Sequence, residues 1–180
     1  MHDFKIALKI FLCMAILTGL LYPYFIIYIA HTLMPYQAYG SLTYNSENEI
    51  SGSLLIAQNF NDPTFFWPRP SAINYNPVAP SGGSNLGPTS KKLKEIINVR
   101  TQKLGTNAPV ELLYASGSGL DPHISLETAY FQIPRVSKSR QISPEDLKKL
   151  IDSQPGSTIY FQKKYINVLQ LNQMLLQASP

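Results

Sequence analysis

One short run of the chain gathers residues that could carry nucleophilic chemistry. The run SGSGLDPHIS holds Ser116, Ser118, Asp121 and His123. A serine hydrolase uses these types, with histidine taking the serine proton and aspartate orienting the histidine. The serines lie in S-G-S-G rather than in the G-x-S-x-G turn of α/β-hydrolases, so an Asx turn built on the aspartate is the more ordinary interpretation. A serine hydrolase that uses Ser116 or Ser118 with His123 stays as an alternative.

A second candidate is the glycine-rich run SGGSNLGP at residues 81–88. Backbone N–H groups in such a run could wrap a phosphate. A Walker loop would end in G-K-[ST], and this run does not. The lysines that follow it are typical of the solvated face of a helix. A nucleotide-binding subunit nevertheless stays as an alternative, because the backbone of the run could still wrap a phosphate.

Metal and disulfide chemistry find little support in the residue types. The chain has one cysteine, Cys13, and His123 is the only histidine beyond His31. A zinc site built on cysteines or on a histidine cluster, and a disulfide framework, are excluded. The cations Arg69, Arg135 and Arg140 are better suited to fixed bidentate contacts, and each is expected to tie a loop to a carboxylate.

The elements that must position these residues follow a membrane span. Only 14% of residues are charged, against about 25% in soluble domains, and the net charge is +4. The deficit is uneven, because residues 10–30 read IFLCMAILTGLLYPYFIIYIA without one charge. A helix of that length crosses about 30 Å, the thickness of a bilayer core. The run is too long for a cleaved signal peptide and lacks its A-x-A site.

The distribution of cations predicts the orientation of this span. Lys5 and Lys9 precede it, and no Lys or Arg follows until Arg69. The positive-inside rule then places residues 1–9 in the cytoplasm, residues 10–30 in the membrane, and residues 31–180 outside.

Small residues in the span predict a docking face for partner helices. Ala15, Thr18 and Gly19 fall at i, i+3 and i+4, so they share one side of an α-helix. Because these side chains are small, the backbone of a second helix can approach closely there. The alternative is that a single-pass anchor carries a few small residues by chance, without a partner helix. Pro23 is expected to kink the helix one turn later.

Beyond the span the pattern predicts one mixed α+β domain, since strands and helices alternate without a βαβ rhythm. The expected elements, in chain order, are a strand within Glu49–Phe60, an irregular stretch Asn61–Pro88, a helix capped by Thr89 or Ser90 and ended by Gly105, a strand Pro109–Ala115, a helix from Ser125 to Ile133 closed by Pro134, a helix from Ser143 to Ser153, a strand Thr158–Phe161, and a helix capped by Asn167. A long loop rich in aromatic residues is expected to be a binding surface.

Taken together, these segments resemble the C subunit of the bacterial Kdp potassium-transporting ATPase, the KdpC family. The resemblance covers nearly the whole chain, and its most specific runs are SGGSNLGP and ASGSGLDPHIS. Its motif residues, and hence the candidate interface residues, are Phe66, Arg69, Ser71, Gly82, Gly83, Ser84, Asn85, Ser116, Gly117, Ser118, Gly119, Asp121, His123, Gln132, Arg135 and Arg140.

The resemblance implies an accessory subunit of an ATP-driven potassium importer, not an enzyme in its own right. Its partners would be a channel-like potassium-binding subunit, a P-type ATPase subunit and a small single-span subunit. The family is described as stabilising assembly and as a catalytic chaperone that raises the ATP affinity of the ATPase subunit. ATP is thus implied only at the level of the family, and no metal is implied. The hypothesis places the loop Phe65–Pro88 and the turn Ser116–His123 over the outer mouth of the potassium-binding subunit.

Overall fold

The computed structural model describes residues 2–45, 47–154, 159–160 and 163–178. It divides into two compact units, Met1–Ser51 and Gly52–Pro180. The elements that lie or begin in the first unit are α1 (His2–Ile16), a π-helical segment (Leu17–Leu21), α2 (Tyr22–Leu33), α3 (Pro35–Ala38), β1 (Leu42–Tyr44) and β2 (Ile50–Ser53).

The first unit is dominated by a continuous helix, His2–Leu33, of 32 residues. In the part of the chain that the structure describes, it is the one helix long and apolar enough to cross a membrane. The predicted span 10–30 lies inside it. None of the side chains in α1, the π segment or α2 is buried, so a large apolar surface is exposed.

The π segment lies in the turn before Pro23, where the sequence predicts an irregularity. Thr18 Oγ1 donates to Met14 O over 2.7 Å. Thr18 and Gly19 lie in this π segment whereas Ala15 lies in α1, so the predicted small-residue face runs through a break in the regular α-helical period. A Cβ added at Gly19 would meet no atom within 4 Å, leaving open space at this position.

The second unit mixes helices with a small antiparallel sheet, as expected for an α+β domain. Its elements are α4 (Lys91–Leu104), α5 (Val110–Leu113), β3 (His123–Ser125), α6 (Leu126–Arg140), α7 (Pro144–Ser153), β4 (Ile159–Tyr160), β5 (Lys163–Asn167) and α8 (Val168–Ala178). The sheet order is β3-β5-β4. Ile124 pairs with Ile166 at the centre of the β3–β5 register.

The core lies where α6, α7, α8 and the central strand meet. Its buried members are Phe66, Ile124, Ala129, Ile133, Val136, Leu147, Ile151, Ile166, Val168, Leu171 and Leu175. All but Phe66 come from helices or strands. The irregular stretch therefore contributes one fully buried aromatic side chain, which anchors it to the domain.

Helix caps follow the sequence closely. The Ser90 hydroxyl accepts from Leu93 N, and Gly105 ends α4 at φ +96°. The Ser143 hydroxyl accepts from Asp146 N, and the Asn167 side chain accepts from Gln170 N. These predicted helix boundaries are confirmed. Each depends only on residues within one turn.

Two of the expected strands differ from the structure. The strand within Glu49–Phe60 is confined to Ile50–Ser53, and the apolar residues after it form a turn. Pro109–Ala115 is not a strand, because Val110–Leu113 forms one helical turn that buries Leu112. Short apolar runs do not distinguish strand from helix. For the strand predicted at Thr158–Phe161, the structure has Ile159–Tyr160, and the two end residues lie outside the described ones.

The helix expected to end at Pro134 continues to Arg140, with the proline inside it. Proline removes one N–H and crowds the preceding turn. The last turns form nevertheless because Val136 is fully buried in the core. Tertiary packing thus outweighs the local preference of the proline.

Candidate functional site

The irregular stretch begins with a segment, residues 63–67, that two helices hold by its backbone. We call it the clasped segment. The Asn172 amide accepts from Phe66 N over 2.8 Å and donates to Phe66 O over 2.9 Å. The Gln132 amide does the same with Trp67 N and O, at 2.8 and 3.1 Å. Each side-chain amide donates one hydrogen bond and accepts one, as the backbone of a neighbouring strand would. It thereby pairs N–H and C=O groups that burial would otherwise leave without partners.

Two arginines of α6 complete the clasp. Arg135 Nη1 donates to Pro63 O over 2.5 Å and to Phe65 O over 2.9 Å. Arg140 Nε donates to Thr64 O over 2.7 Å. Burial lowers the pKa of Arg135 to about 10, so its charge persists at neutral pH. Both arginines bind carbonyl oxygens, whereas the sequence suggested a carboxylate.

A turn follows the clasped segment and is fixed by Arg69. Arg69 Nη1 donates to Asp121 Oδ2 over 2.9 Å. The Arg69 carbonyl accepts from the Tyr75 hydroxyl over 2.9 Å. The Ser71 hydroxyl accepts from Ile73 N and Tyr75 N, closing the turn. Burial raises the pKa of Tyr75, in keeping with its role as a neutral donor.

Asp121 forms the predicted Asx turn, since its Oδ1 accepts from His123 N over 3.0 Å. His123 Nδ1 lies 3.6 Å from the same oxygen. Partial burial opposes ionisation, but hydrogen bonds from His123 and Arg69 hold the pKa of Asp121 below its ordinary value. The carboxylate therefore joins the two motif segments as a charged tie.

The glycine-rich runs meet at a backbone crossing. Gly82 N donates to Ser118 O over 3.0 Å, and the Ser81 hydroxyl donates to the same oxygen. A Cβ at Gly119, which has φ +71°, would lie 2.8 Å from Gly82 O. A Cβ at Gly83 would lie 3.3 Å from Gly117 O. We call this contact the glycine crossing; it requires residues without side chains at its closest points.

The crossing leaves several motif residues at the surface. Ser84, Asn85, Gly117 and Ser118 are exposed, and Asn85 has φ +53°. Ser116 is buried, and its N–H donates to Pro70 O over 3.0 Å. The motif therefore presents a fixed polar surface whose shape depends on backbone contacts.

The arrangement gives no support to a hydrolase. Among the described residues, neither Ser116 nor Ser118 forms a hydrogen bond with His123; the Ser118 hydroxyl accepts from Leu120 N instead. A nucleophile needs its base within hydrogen-bond reach. In the glycine-rich run, one of the N–H groups that a phosphate would need, Gly82 N, already donates to Ser118 O.

No group of three or more potential metal ligands occurs among the residues that the structure describes.

The structure brings most predicted motif residues into two neighbouring arrangements, the clasp and the crossing. Trp67 belongs to the clasped segment and lies in the loop Phe65–Pro88 that the sequence already predicts as a binding surface. Sequence reasoning missed Lys103 and did not assign Asn172 to the site. Asn172 is a buried amide on the face of α8 that also carries Leu171 and Leu175 in the core. A polar residue within such an apolar pattern is the signal that could have found it.

Comparisons with known proteins agree over nearly the full chain. The family model described as KdpC, K+-transporting ATPase, c chain, matches residues 4–177. A potassium-transporting ATPase KdpC subunit of a Synechocystis species is 42% identical, covering 95% of this chain and 96% of its own. The subunit of the same name from Geotalea uraniireducens is 41% identical, with 96% of each chain covered. The one from Janthinobacterium is 43% identical, with 97% of each covered.

Proposed function

The chain belongs to the KdpC family, and we propose that it is an accessory subunit of an ATP-driven potassium import complex. The observation that carries this proposal is the family match over residues 4–177, which includes both the apolar helix and the second unit. The partners are a channel-like potassium-binding subunit, a P-type ATPase subunit and a small single-span subunit. The chain itself is non-catalytic, stabilises assembly and supports the ATPase subunit, whose ATP affinity the family is described as raising.

The proposed topology is a single pass with the N-terminus in the cytoplasm. Residues 10–30 span the membrane and residues 31–180 form the extracytoplasmic domain. A helix of 32 residues with exposed apolar side chains supports the span. Lys5 and Lys9 before the span support the orientation, because cations stay on the cytoplasmic side.

The proposed docking surface comprises the loop Phe65–Pro88 and the turn Ser116–His123. It covers the outer mouth of the potassium-binding subunit. The clasp and the crossing support this role, because they fix an irregular surface before a partner arrives, and fixing it beforehand lowers the entropy lost on binding. Surface residues such as Ser84, Asn85 and Ser118 are then the ones that meet the partner.

Purification of the tagged full chain from native membranes in mild detergent tests the proposal. We expect the ATPase and potassium-binding subunits to co-purify, and we expect cells lacking the chain to lose potassium uptake at low external potassium. A chain that purifies alone, from cells whose uptake is normal without it, would contradict the proposal.

The span supplies a sharper variant. Gly19→Leu fills the open space at Gly19 and should weaken association with partner helices by about 1–2 kcal/mol, about tenfold. Gly19→Ala is the matched control, since it keeps the residue small. Equal recovery of the complex with both variants would remove the docking role of this face while leaving the family function in place.

A further inference from the structure

Trp67 lies where two clefts of the second unit share the residues Trp67, Lys103 and Leu104. The larger has a volume of about 440 Å³ and is lined further by residues of α6, including Gln132 and Arg135. The smaller has a volume of about 170 Å³ and is lined further by Phe60, Pro68, Pro70, Tyr75, Arg100 and Leu112. We call the two together the Trp67 cleft.

Three cations line the Trp67 cleft without a matching acid. Lys103 Nζ lies 4.6 Å from the centroid of the Trp67 ring, and Arg135 Cζ lies 3.8 Å from it. Arg100 lines the smaller part. Among the described residues, no Asp or Glu lines either part, and none of the three cations forms an ion pair. Asp62 acts on Arg135 electrostatically without contact.

The two arginines of the cleft already use several of their N–H donors in hydrogen bonds within the domain. Arg135 already donates to two backbone carbonyls and to Gln132 Oε1. Arg100 Nη1 donates to Leu113 O over 2.5 Å. A phosphate presents three oxygens and needs many converging donors, whereas a carboxylate is satisfied by fewer. Positive potential with few available donors therefore fits a carboxylate better than a phosphate.

The smaller part of the cleft adds an apolar wall. Phe60 and Leu112 line it, together with Pro68 and Pro70. An acidic residue in a polypeptide supplies a carboxylate for the cations and has a neighbouring residue that can contact the apolar wall. A free inorganic anion would leave this wall without a partner.

We propose that the Trp67 cleft binds an acidic side chain of a partner subunit, with Lys103 as its main contact and the apolar wall taking a neighbouring residue. The inference rests on the proposed function, which supplies the partner. Trp67 lies within the proposed docking loop, so α4 extends that surface through Lys103. Charge complementarity of this kind fixes register between partners and speeds their encounter.

Carbodiimide cross-linking of the intact complex tests the contact directly. The reagent activates a carboxylate, a lysine amine attacks it, and an amide forms while water passes to the reagent. Only groups in contact react. Peptide mass spectrometry is expected to find Lys103 joined to an Asp or Glu of a partner subunit. Lys94, an exposed lysine of the same helix that lines neither part of the cleft, is the internal control.

Variants measure what the contact contributes. The purified full chain is titrated into the partner subunits prepared from cells lacking it. Lys103→Glu should lower the affinity by about tenfold, because it places like charges together. Lys94→Glu should leave the affinity unchanged. Lys103→Arg should keep the affinity while abolishing the cross-link.

The outcomes separate this inference from the function beneath it. If the complex forms but Lys103 cross-links to no partner and Lys103→Glu behaves as Lys94→Glu, the inference is overturned and the function stands. If no complex forms with the wild-type chain, the function itself fails. If native mass spectrometry instead finds an anionic lipid or ATP that Lys103→Glu releases, the occupant is a phosphate and the inference is wrong.

Discussion

The clasped segment and the glycine crossing both lack helix and strand, yet different groups hold them. Residues 63–67 are held by long side chains that reach out from α6 and α8 to the backbone. The crossing is held by backbone against backbone, with Gly82 N on Ser118 O and Gly119 pressed close to Gly82. One arrangement depends on side chains elsewhere in the fold, and the other depends on the absence of side chains.

The difference bears on where function can vary. In the clasp, the groups recognised are backbone C=O, which every residue carries, and backbone N–H, which every residue but proline carries. The side chain of Trp67 takes no part in these backbone contacts; it is partly buried and lines the Trp67 cleft instead. At the crossing, a methyl group added at Gly119 would itself change the shape of the surface.

The largest expected effect breaks the clasp. Asn172→Ala removes two hydrogen bonds and leaves the buried N–H and C=O of Phe66 without partners. Because each buried unsatisfied group costs about 1–3 kcal/mol, we expect the free energy of unfolding to fall by about 4 kcal/mol. Denaturant titration of the full chain in detergent, followed by the fluorescence of the single tryptophan, measures the loss.

Gln177→Ala is the matched control, because Gln177 is an exposed amide on the same helix. We expect its effect to stay within about 0.5 kcal/mol. Similar losses from the two variants would mean that the amide of Asn172 does not hold the segment.

The next effect breaks the crossing. Gly119→Ala must adopt φ +71° and bring its Cβ to 2.8 Å from both Gly82 O and Ile73 Cγ1. The left-handed conformation alone costs about 1–2 kcal/mol, and the contact with a backbone oxygen adds to it. We expect a loss of about 2–3 kcal/mol in the same titration.

Gly117→Ala provides the comparison within the same motif. A Cβ at Gly117 meets no atom within 4 Å, and no positive φ is recorded there. Its effect on stability should be small. A Gly119→Ala variant as stable as Gly117→Ala would show that the crossing relaxes freely, in which case glycine is not required at its closest point.

The two regions also differ in how far the sequence predicts them. The sequence predicts the helix caps at Ser90, Ser143 and Asn167, because each cap depends only on residues within its own turn. The Asx turn at Asp121 was predicted for the same reason. The clasp was not, since Asn172 and Phe66 are 106 residues apart along the chain and nothing local joins them.

The motif residues of the crossing were found through family resemblance, but their physical role was not. Nothing in the run SGSGLDPHIS says that Gly119 must approach Gly82, because that contact is set by the packing of two separate loops. Pro134 is the converse case. Its local chemistry predicts a helix end, and the burial of Val136 keeps the helix going.

The smallest expected effect lies between the two regions, at the ion pair of Arg69 with Asp121. Hydrogen bonds from His123 and Arg69 outweigh the burial of Asp121 and hold its pKa below the ordinary value of 3.8. A carboxylate whose pKa is lowered by folding stabilises the fold above its ordinary pKa. That contribution disappears as the pH falls through the lower, folded value. The free energy of unfolding should therefore decline below about pH 4 in part through this group.

Asp121→Asn removes that titration, so its free energy of unfolding should fall less steeply between about pH 5 and pH 3 than that of the wild-type chain. Because the side chain is 30% exposed, water screens the pair and the difference should stay below about 1 kcal/mol. Gln177→Ala, which changes an exposed side chain that does not titrate, is the control and should leave the shape of the pH profile as it is. If Asp121→Asn follows the wild-type profile as closely as Gln177→Ala does, Asp121 ties the turn to Arg69 through hydrogen-bond geometry alone, without its charge.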